Sequence, residues 1–155
     1  MKKQTQRLCQ IAFVLYLLIM LWLLFGQRIG LDGSGSYQEQ LRQNLNLIPL
    51  KTIGGYLRLI QRTTSPYLMR IALANLAGNV VMFVPLGFFL PCLWEKLGKW
   101  WKSMLLTVGI IVAVELVLLV TLLGSCDIDD LILNVIGAFL GYGLFRVVQK
   151  RIQLQ

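Results

Sequence analysis

The chain has 155 residues, of which 57% are hydrophobic and only 14% are charged. A soluble domain of this length cannot bury so much apolar surface in its own core, so the composition excludes a soluble globular protein. The apolar residues are grouped in blocks long enough for a helix to cross about 30 Å of hydrocarbon. This grouping favours membrane-spanning helices over a β-barrel.

The net charge of +8 comes from 15 basic and seven acidic residues. Because the basic residues lie between and beside the apolar blocks, they are typical of cations that flank membrane spans, and no nucleic-acid partner is expected. The chain has no histidine, which excludes histidine-based catalysis and most zinc sites. Its three cysteines are too few and too scattered for a disulfide framework, so we expect free thiols.

Four apolar blocks predict four spans within a single membrane domain over residues 1–155, namely residues 8–25, 71–94, 101–123 and 131–148. The first block follows three cations, as a secretory signal does, but no small-x-small cleavage site follows it, so we expect it to be retained. Short connections make the later helices antiparallel neighbours. The predicted fold is an all-α integral membrane four-helix bundle.

The distribution of basic residues predicts the orientation of the bundle. With four spans, the N-terminus, the second loop and the C-terminus share one side and carry nine cations, against six on the other side, all in the first loop. The third loop has three aspartates and no cation. The positive-inside rule therefore favours an orientation with both termini in the cytoplasm.

The first loop, residues 26–70, is too long to be a simple connection. Ile53, Tyr56, Leu57 and Ile60 recur at helical spacing, which predicts a short amphipathic helix on the outer surface. Two interpretations stay open: a loop that lies on the membrane, which is favoured, and a docking surface.

Ionisable and amide side chains inside two spans indicate a functional site, because such groups are costly in hydrocarbon. Glu115 lies eight residues before the outer end of the third span, and Asn79 lies eight residues past Ile71. Both positions are about 12 Å deep at 1.5 Å per residue. Asn75 precedes Asn79 by one turn and is predicted to share its face.

The fourth span adds a stripe of polar and small residues at spacings of three and four: Asp127, Asp130, Asn134, Gly137 and Gly141. The Gly137–Gly141 pair allows another backbone to approach closely, so this stripe is predicted to face protein. We therefore expect Asn79, Glu115, Asp127, Asp130 and Asn134 to line one outward-facing polar cavity.

Simpler alternatives exist for these residues. Glu115 could be protonated and hydrogen-bonded to Asn79 and Asn134, which would hold the helices together without any ligand. Asp129 is expected to point away from its neighbours and to be solvated. Pro85 should kink its helix, either to free a carbonyl toward the cavity or only for packing.

Three motifs resemble those of VanZ-like proteins, a family named for an accessory factor of glycopeptide resistance. The run from Asn79 to Gly87 matches N-x-x-x-F-x-P-x-G, the run from Asn46 to Pro49 matches N-L-x-P, and the run from Asp127 to Gly137 matches D-I-x-D-x-x-x-N-x-x-G. The resemblance implies that Asn46, Pro49, Phe83, Pro85, Gly87, Gly137 and Gly141 are structural motif residues.

The chain departs from this family pattern at two positions. Leu118 stands where many members have Gln, and Gly124 stands where many have Arg before the aspartates. Without that Arg the carboxylates lack a counter-ion, so a bound cation or partial protonation is expected.

The resemblance implies a multi-pass protein of the bacterial cytoplasmic membrane and low-level teicoplanin resistance, which leads to three functional hypotheses. The favoured one is a non-enzymatic protein with no cofactor that acts at the outer membrane face on a lipoglycopeptide or a lipid-linked cell-wall precursor, with membrane lipids as its other partners. The second is an enzyme in which Glu115, Asp127 and Asp130 hold a divalent cation and act on a lipid-linked envelope substrate. The third is a small scaffold or accessory subunit.

Overall fold

The computed structural model describes residues 3–26 and 36–153, and it confirms the all-α membrane bundle. The helices are α1 (Lys3–Leu21, continued by a π-helical turn Trp22–Gly26), α2 (Tyr37–Gln43), α3 (Lys51–Arg62), α4 (Pro66–Leu93), α5 (Trp100–Val120) and α6 (Ile128–Gln153). A 3₁₀ turn, Glu95–Leu97, connects α4 to α5. Four helices are long and apolar enough to cross a membrane: Gln4–Gly26, Pro66–Leu93, Trp100–Val120 and Ile128–Arg151.

The ends of the spans differ from the predicted ones. Helix α4 begins at Pro66, five residues before Ile71, because proline at the first helical position has no N–H to satisfy. Helix α5 ends at Val120, three residues before the predicted end. Glu115 is therefore about 8 Å from the end of α5, whereas Asn79 is about 20 Å from the start of α4. Their equal depth in the membrane stays a prediction.

The first loop is more structured than predicted. The amphipathic helix is confirmed as α3, and a second helix, α2, precedes it. A capping box starts α2: Glu39 N–H donates to Ser36 Oγ, and Ser36 N–H donates to Glu39 Oε2. The Ser-x-x-Glu spacing is a sequence signal for this helix start. After α2 the strand β1 (Leu45–Asn46) pairs in parallel with β2 (Cys126–Asp127), which immediately precedes α6.

Helices α4 and α6 run parallel and their backbones touch. A Cβ atom added at Gly137 would lie 2.0 Å from the carbonyl oxygen of Val80, and one at Gly141 would lie 1.9 Å from that of Val84. A Cβ at Gly87 of α4 would in turn lie 1.9 Å from the carbonyl oxygen of Ala138. Each of these three motif positions therefore accepts only glycine at this helix separation.

The apolar core lies between α4, α5 and α1, with Phe83 and Ile111 fully buried at its centre. Helix α4 continues through Pro85 as one helix. Pro85 has no N–H to donate to the Val81 carbonyl one turn earlier. In the same stretch the hydroxyl of Tyr16 in α1 donates to the carbonyl oxygen of Met82, at 2.9 Å.

The described cysteines are all thiols. Two of them are closer than the sequence pattern indicates, because Cys9 Sγ in α1 lies 4.0 Å from Cys92 Sγ in α4. Cys126 belongs to β2, at the other end of the bundle.

The contact between α4 and α6 makes a prediction about glycine substitutions. Gly137→Ala should lower the free energy of unfolding by about 1–3 kcal/mol, because the new methyl group overlaps the Val80 carbonyl and forces the helices apart. Gly143→Ala in the same helix is the control: a Cβ there meets nothing within 4 Å, so the variant should be as stable as the parent or slightly more stable. Thermal unfolding in detergent measures both, and equal melting temperatures for the two variants would contradict the packing described above.

Candidate functional site

The N-terminus of α3 is held by a carboxylate from α6. Asp129 Oδ1 accepts the N–H of Leu50 at 2.6 Å, and Asp129 Oδ2 accepts the N–H groups of Thr52 and Ile53 at 2.8 and 3.0 Å. The first N–H groups of a helix have no partner within the helix and lie at the positive end of its dipole. Leu50 adopts a left-handed conformation, with φ of 62°, at this point. Asp129 thus supplies the cap that α3 lacks in its own sequence.

The prediction that Asp129 is solvated is therefore wrong. Its side chain is fully buried. The expectation that it points away from its neighbours is wrong for Asp127, because the Asp129 N–H donates to Asp127 Oδ1 and both carboxylates accept hydrogen bonds from Thr52 of α3. The space beside Asp129 is filled by α3 rather than by water. Neither Asp129 nor Thr52 is among the residues that the sequence pattern singled out. The available signal was that two acidic residues, Asp129 and Asp130, lie in the first turn of α6.

Asp127 is the second carboxylate that joins the first loop to α6. Its Oδ2 accepts the Thr52 hydroxyl at 2.6 Å and the Asn46 side-chain N–H at 3.0 Å, and its Oδ1 accepts the Asp129 N–H at 2.9 Å. Two separate motifs, which contain Asn46 and Asp127, therefore meet directly. We call Asn46, Thr52, Asp127 and Asp129 the loop anchor.

Next to the loop anchor, Asn79 of α4 donates its side-chain N–H to Asp130 Oδ1. Asn134 follows Asp130 by one turn and is 3% exposed, and its Oδ1 has no hydrogen-bond partner among the described residues. Asn75 does not join them, because its side chain is exposed and donates to the Ile71 carbonyl of its own helix. Of the predicted α4 face, only Asn79 reaches α6.

Glu115 is buried on the α5 side of the same end of the bundle. It lines a cavity of about 140 Å³ together with Leu47, Val112, Leu116, Cys126, Asp127, Ile128 and Leu131. Burial raises the pKa of the Cys126 thiol, and the negative charges of Glu115, Asp127 and Asp130 raise it further. Tyr56 of α3 has its pKa raised by burial and then by Asp130 and Asp127. The three predicted carboxylates thus lie near enough to Cys126 to affect its thiol, and two of them lie near Tyr56 of α3.

A metal ion does not fit these carboxylates as they are arranged. Within residues 3–26 and 36–153, no three Asp, Glu or Cys side chains are placed to bind one ion. The oxygens of Asp127 and Asp129 already accept backbone, hydroxyl and amide donors. The chain lacks the Arg that many VanZ-like proteins have before the aspartates. Backbone N–H groups partly take over the role of its positive charge.

The remaining motif residues have architectural surroundings. Phe83 is fully buried in the core, and Gly87, Gly137 and Gly141 lie in the α4–α6 contact. Pro49 is exposed and precedes the left-handed Leu50, where its fixed φ restricts the turn into α3.

Comparison with known proteins agrees with these motifs. A family model described as VanZ/LLP1 matches residues 13–149. The chain belongs to the VanZ/LLP1 family. The chain is also similar to Protein VanZ of Enterococcus faecium, with 26% identity over 137 residues that cover 88% of this chain and 72% of that protein. No solved structure matches.

The two departures from the VanZ-like pattern lie together at the end of α5. Leu118 is 3% exposed in the apolar core, and its carbonyl accepts the N–H of Gly124 at 3.2 Å. Leu122 between them has a φ of 56°. A left-handed residue together with a hydrogen bond back to a carbonyl of the last helical turn is a common way to end a helix. Here it leads the chain directly into β2.

The surroundings of Cys126 predict a measurable pH dependence. Because the pKa of the thiol is raised, its alkylation by N-ethylmaleimide should increase at a higher pH than that of a more exposed cysteine, since the thiolate is the reacting form. Glu115→Gln removes one of the negative charges and should shift the midpoint of the rate profile to lower pH. The background carries Cys9→Ser and Cys92→Ser. Ser125→Cys with Cys126→Ser, one residue away at an exposed position, is the reference.

A midpoint that does not change in Glu115→Gln would show that Glu115 is electrically remote from Cys126. The carboxylates would then not form one group around this thiol.

Proposed function

We propose that this protein lowers the susceptibility of the cell to teicoplanin by acting, without enzymatic chemistry, at the outer face of the cytoplasmic membrane. Membership of the VanZ/LLP1 family and the three matching motifs support this proposal. The activity is carried over from the resemblance to VanZ-like proteins. The geometry at the end of the bundle that contains Glu115 and the loop anchor therefore has to be compatible with it.

The size of the cavity beside Glu115 is the observation that favours non-enzymatic binding of a molecule over an enzymatic reaction. At about 140 Å³ it is well below the roughly 300–1,000 Å³ typical of pockets that enclose drug-sized ligands. Its wall combines two buried carboxylates, Glu115 and Asp127, with aliphatic side chains such as Leu47 and Leu116, which are 62% and 51% exposed. A shallow site of this kind suits a molecule that has an acyl chain and a polar body, and teicoplanin has both.

The loop next to this cavity provides a membrane-facing surface. Leu47, Ile48 and Leu50 are each 60% or more exposed, although they adjoin a rigid hydrogen-bonded network. Exposed aliphatic residues on a fixed backbone favour insertion into the lipid interface. This surface would place the Glu115 cavity at the level of the lipid headgroups, where a lipoglycopeptide or a lipid-linked precursor is presented.

The function is tested by expressing the protein in a teicoplanin-sensitive bacterium. The parent should raise the inhibitory concentration of teicoplanin more than that of vancomycin, because only teicoplanin carries the acyl chain. Glu115→Gln should lose this protection while it inserts at the parental level, since it keeps size and hydrogen bonding but removes the charge. Glu95→Gln, an exposed carboxylate at the other end of the bundle, is the control and should protect fully.

Absence of a teicoplanin shift for the parent would refute the proposed function. Full protection by Glu115→Gln would leave the function intact but assign the carboxylate an architectural role. Asp127→Asn is unsuitable for this test, because Asp127 accepts three hydrogen bonds in the loop anchor and an amide would disrupt it.

The proposal requires the loop anchor to be outside the cell and both termini to be inside, as the nine-to-six distribution of cations favours. Ser125→Cys, in a chain whose three native cysteines are replaced by Ser, should react with a membrane-impermeant maleimide on intact cells. Glu95→Cys, exposed at the opposite end, should react only after permeabilisation. The reverse pattern would contradict the orientation and the proposed site of action together.

A further inference from the structure

Two adjoining grooves lie at the end of the bundle opposite the loop anchor. The first has a volume of about 470 Å³ and is lined by Gly98, Lys99, Trp100, Trp101, Tyr142 and Arg146. The second has a volume of about 620 Å³ and follows α5 from Trp101 to Ala113. Trp101 lines both, so the grooves adjoin at this side chain.

The first groove is a built, positively charged site. The buried hydroxyl end of Tyr142 in α6 donates to the Gly98 carbonyl at 2.7 Å, which fixes the α4–α5 turn against α6. This contact brings Lys99 of the turn and Arg146 of α6 to one groove, although they are far apart in sequence. No acidic residue is among the described residues that line either groove.

The second groove is apolar except at its beginning. Lys102 lies near Trp101, with Nζ 5.4 Å from the ring centroid, and the wall beyond it is formed by aliphatic side chains. Gly109 leaves a furrow in this surface, because a Cβ there would meet nothing within 4 Å. The combined site is cationic and aromatic at one end and apolar along about two turns of helix.

We propose that the two grooves bind one anionic phospholipid, with its phosphate between Lys99 and Arg146 and an acyl chain along Gly109. Arginine and lysine together suit a phosphodiester, and tryptophan is favoured at the depth of the glycerol backbone. A free phosphate would use only the first groove, whereas the continuous apolar furrow matches the chain that a lipid carries. This site is at the other end of the bundle from Glu115 and does not rest on the proposed function.

Lipid retention by the purified full-length protein tests the headgroup part of the site. Protein in detergent is equilibrated with equal amounts of phosphatidylglycerol and phosphatidylcholine, and the bound lipid is identified by native mass spectrometry. The parent should prefer phosphatidylglycerol, and Lys99→Gln and Arg146→Gln should each reduce that preference by about five-fold. Lys150→Gln with Arg151→Gln removes two exposed cations from the same end of α6 outside the grooves and should keep the preference.

Gly109→Leu tests the acyl-chain part, because the new side chain fills the furrow. It should reduce retention of both lipids, while Gly143→Leu, at an equally open glycine on α6, should not. The proposal is overturned if the parent binds both lipids equally, if the Lys150 and Arg151 control loses as much preference as the groove variants, or if Gly109→Leu retains lipid like the parent. Displacement of the lipid by an equal concentration of soluble glycerophosphate would also overturn it, since the site would then recognise phosphate alone.

Discussion

The backbone contact between α4 and α6 sets the geometry on which the polar end of the molecule depends. In lipid, helices gain little hydrophobic free energy by packing together, so close van der Waals contact and interhelical hydrogen bonds have to hold them. Gly87, Gly137 and Gly141 remove the side chains that would separate the two backbones. The parallel alignment that results places Asn79 within hydrogen-bonding distance of Asp130, in the first turn of α6.

The loop anchor shows how two aspartates, Asp127 and Asp129, can be buried with backbone, hydroxyl and amide donors as their partners. The chain has Gly124 where many VanZ-like proteins have Arg, yet the Asp129 carboxylate accepts three backbone N–H groups at the positive end of α3. Charge-assisted hydrogen bonds of this kind are among the stronger ones in proteins, and the helix dipole adds to them. The same contacts turn a long loop into a fixed cover over the start of α6.

Periodicity and hydropathy predict the long helices and α3 correctly, because an apolar block or an amphipathic stripe is visible in the sequence itself. They do not predict that Asp129 caps the N-terminus of α3. That contact joins residues almost 80 positions apart and depends on where the loop folds back. The helix ends also differ from the predicted span ends, since polar residues such as Arg70 continue a helix beyond its apolar stretch. The motifs identify the positions that are characteristic of the family, but they do not predict which of those residues contact each other.

Most of the motif residues have one of two structural roles, packing between helices or anchoring the first loop, but one of them has neither. Packing accounts for Phe83 and the three glycines. Hydrogen bonds in the loop anchor account for Asn46 and Asp127. Asn134 fits neither group, because its Oδ1 is buried without a hydrogen-bond partner among the described residues. A buried polar atom left this way costs about 1–3 kcal/mol, and in a membrane-spanning helix that cost is not offset by water. Asn134 lies one turn after Asp130 on the same stripe of α6, so its amide is the part of this end of the bundle that neither the glycine contact nor the loop anchor explains.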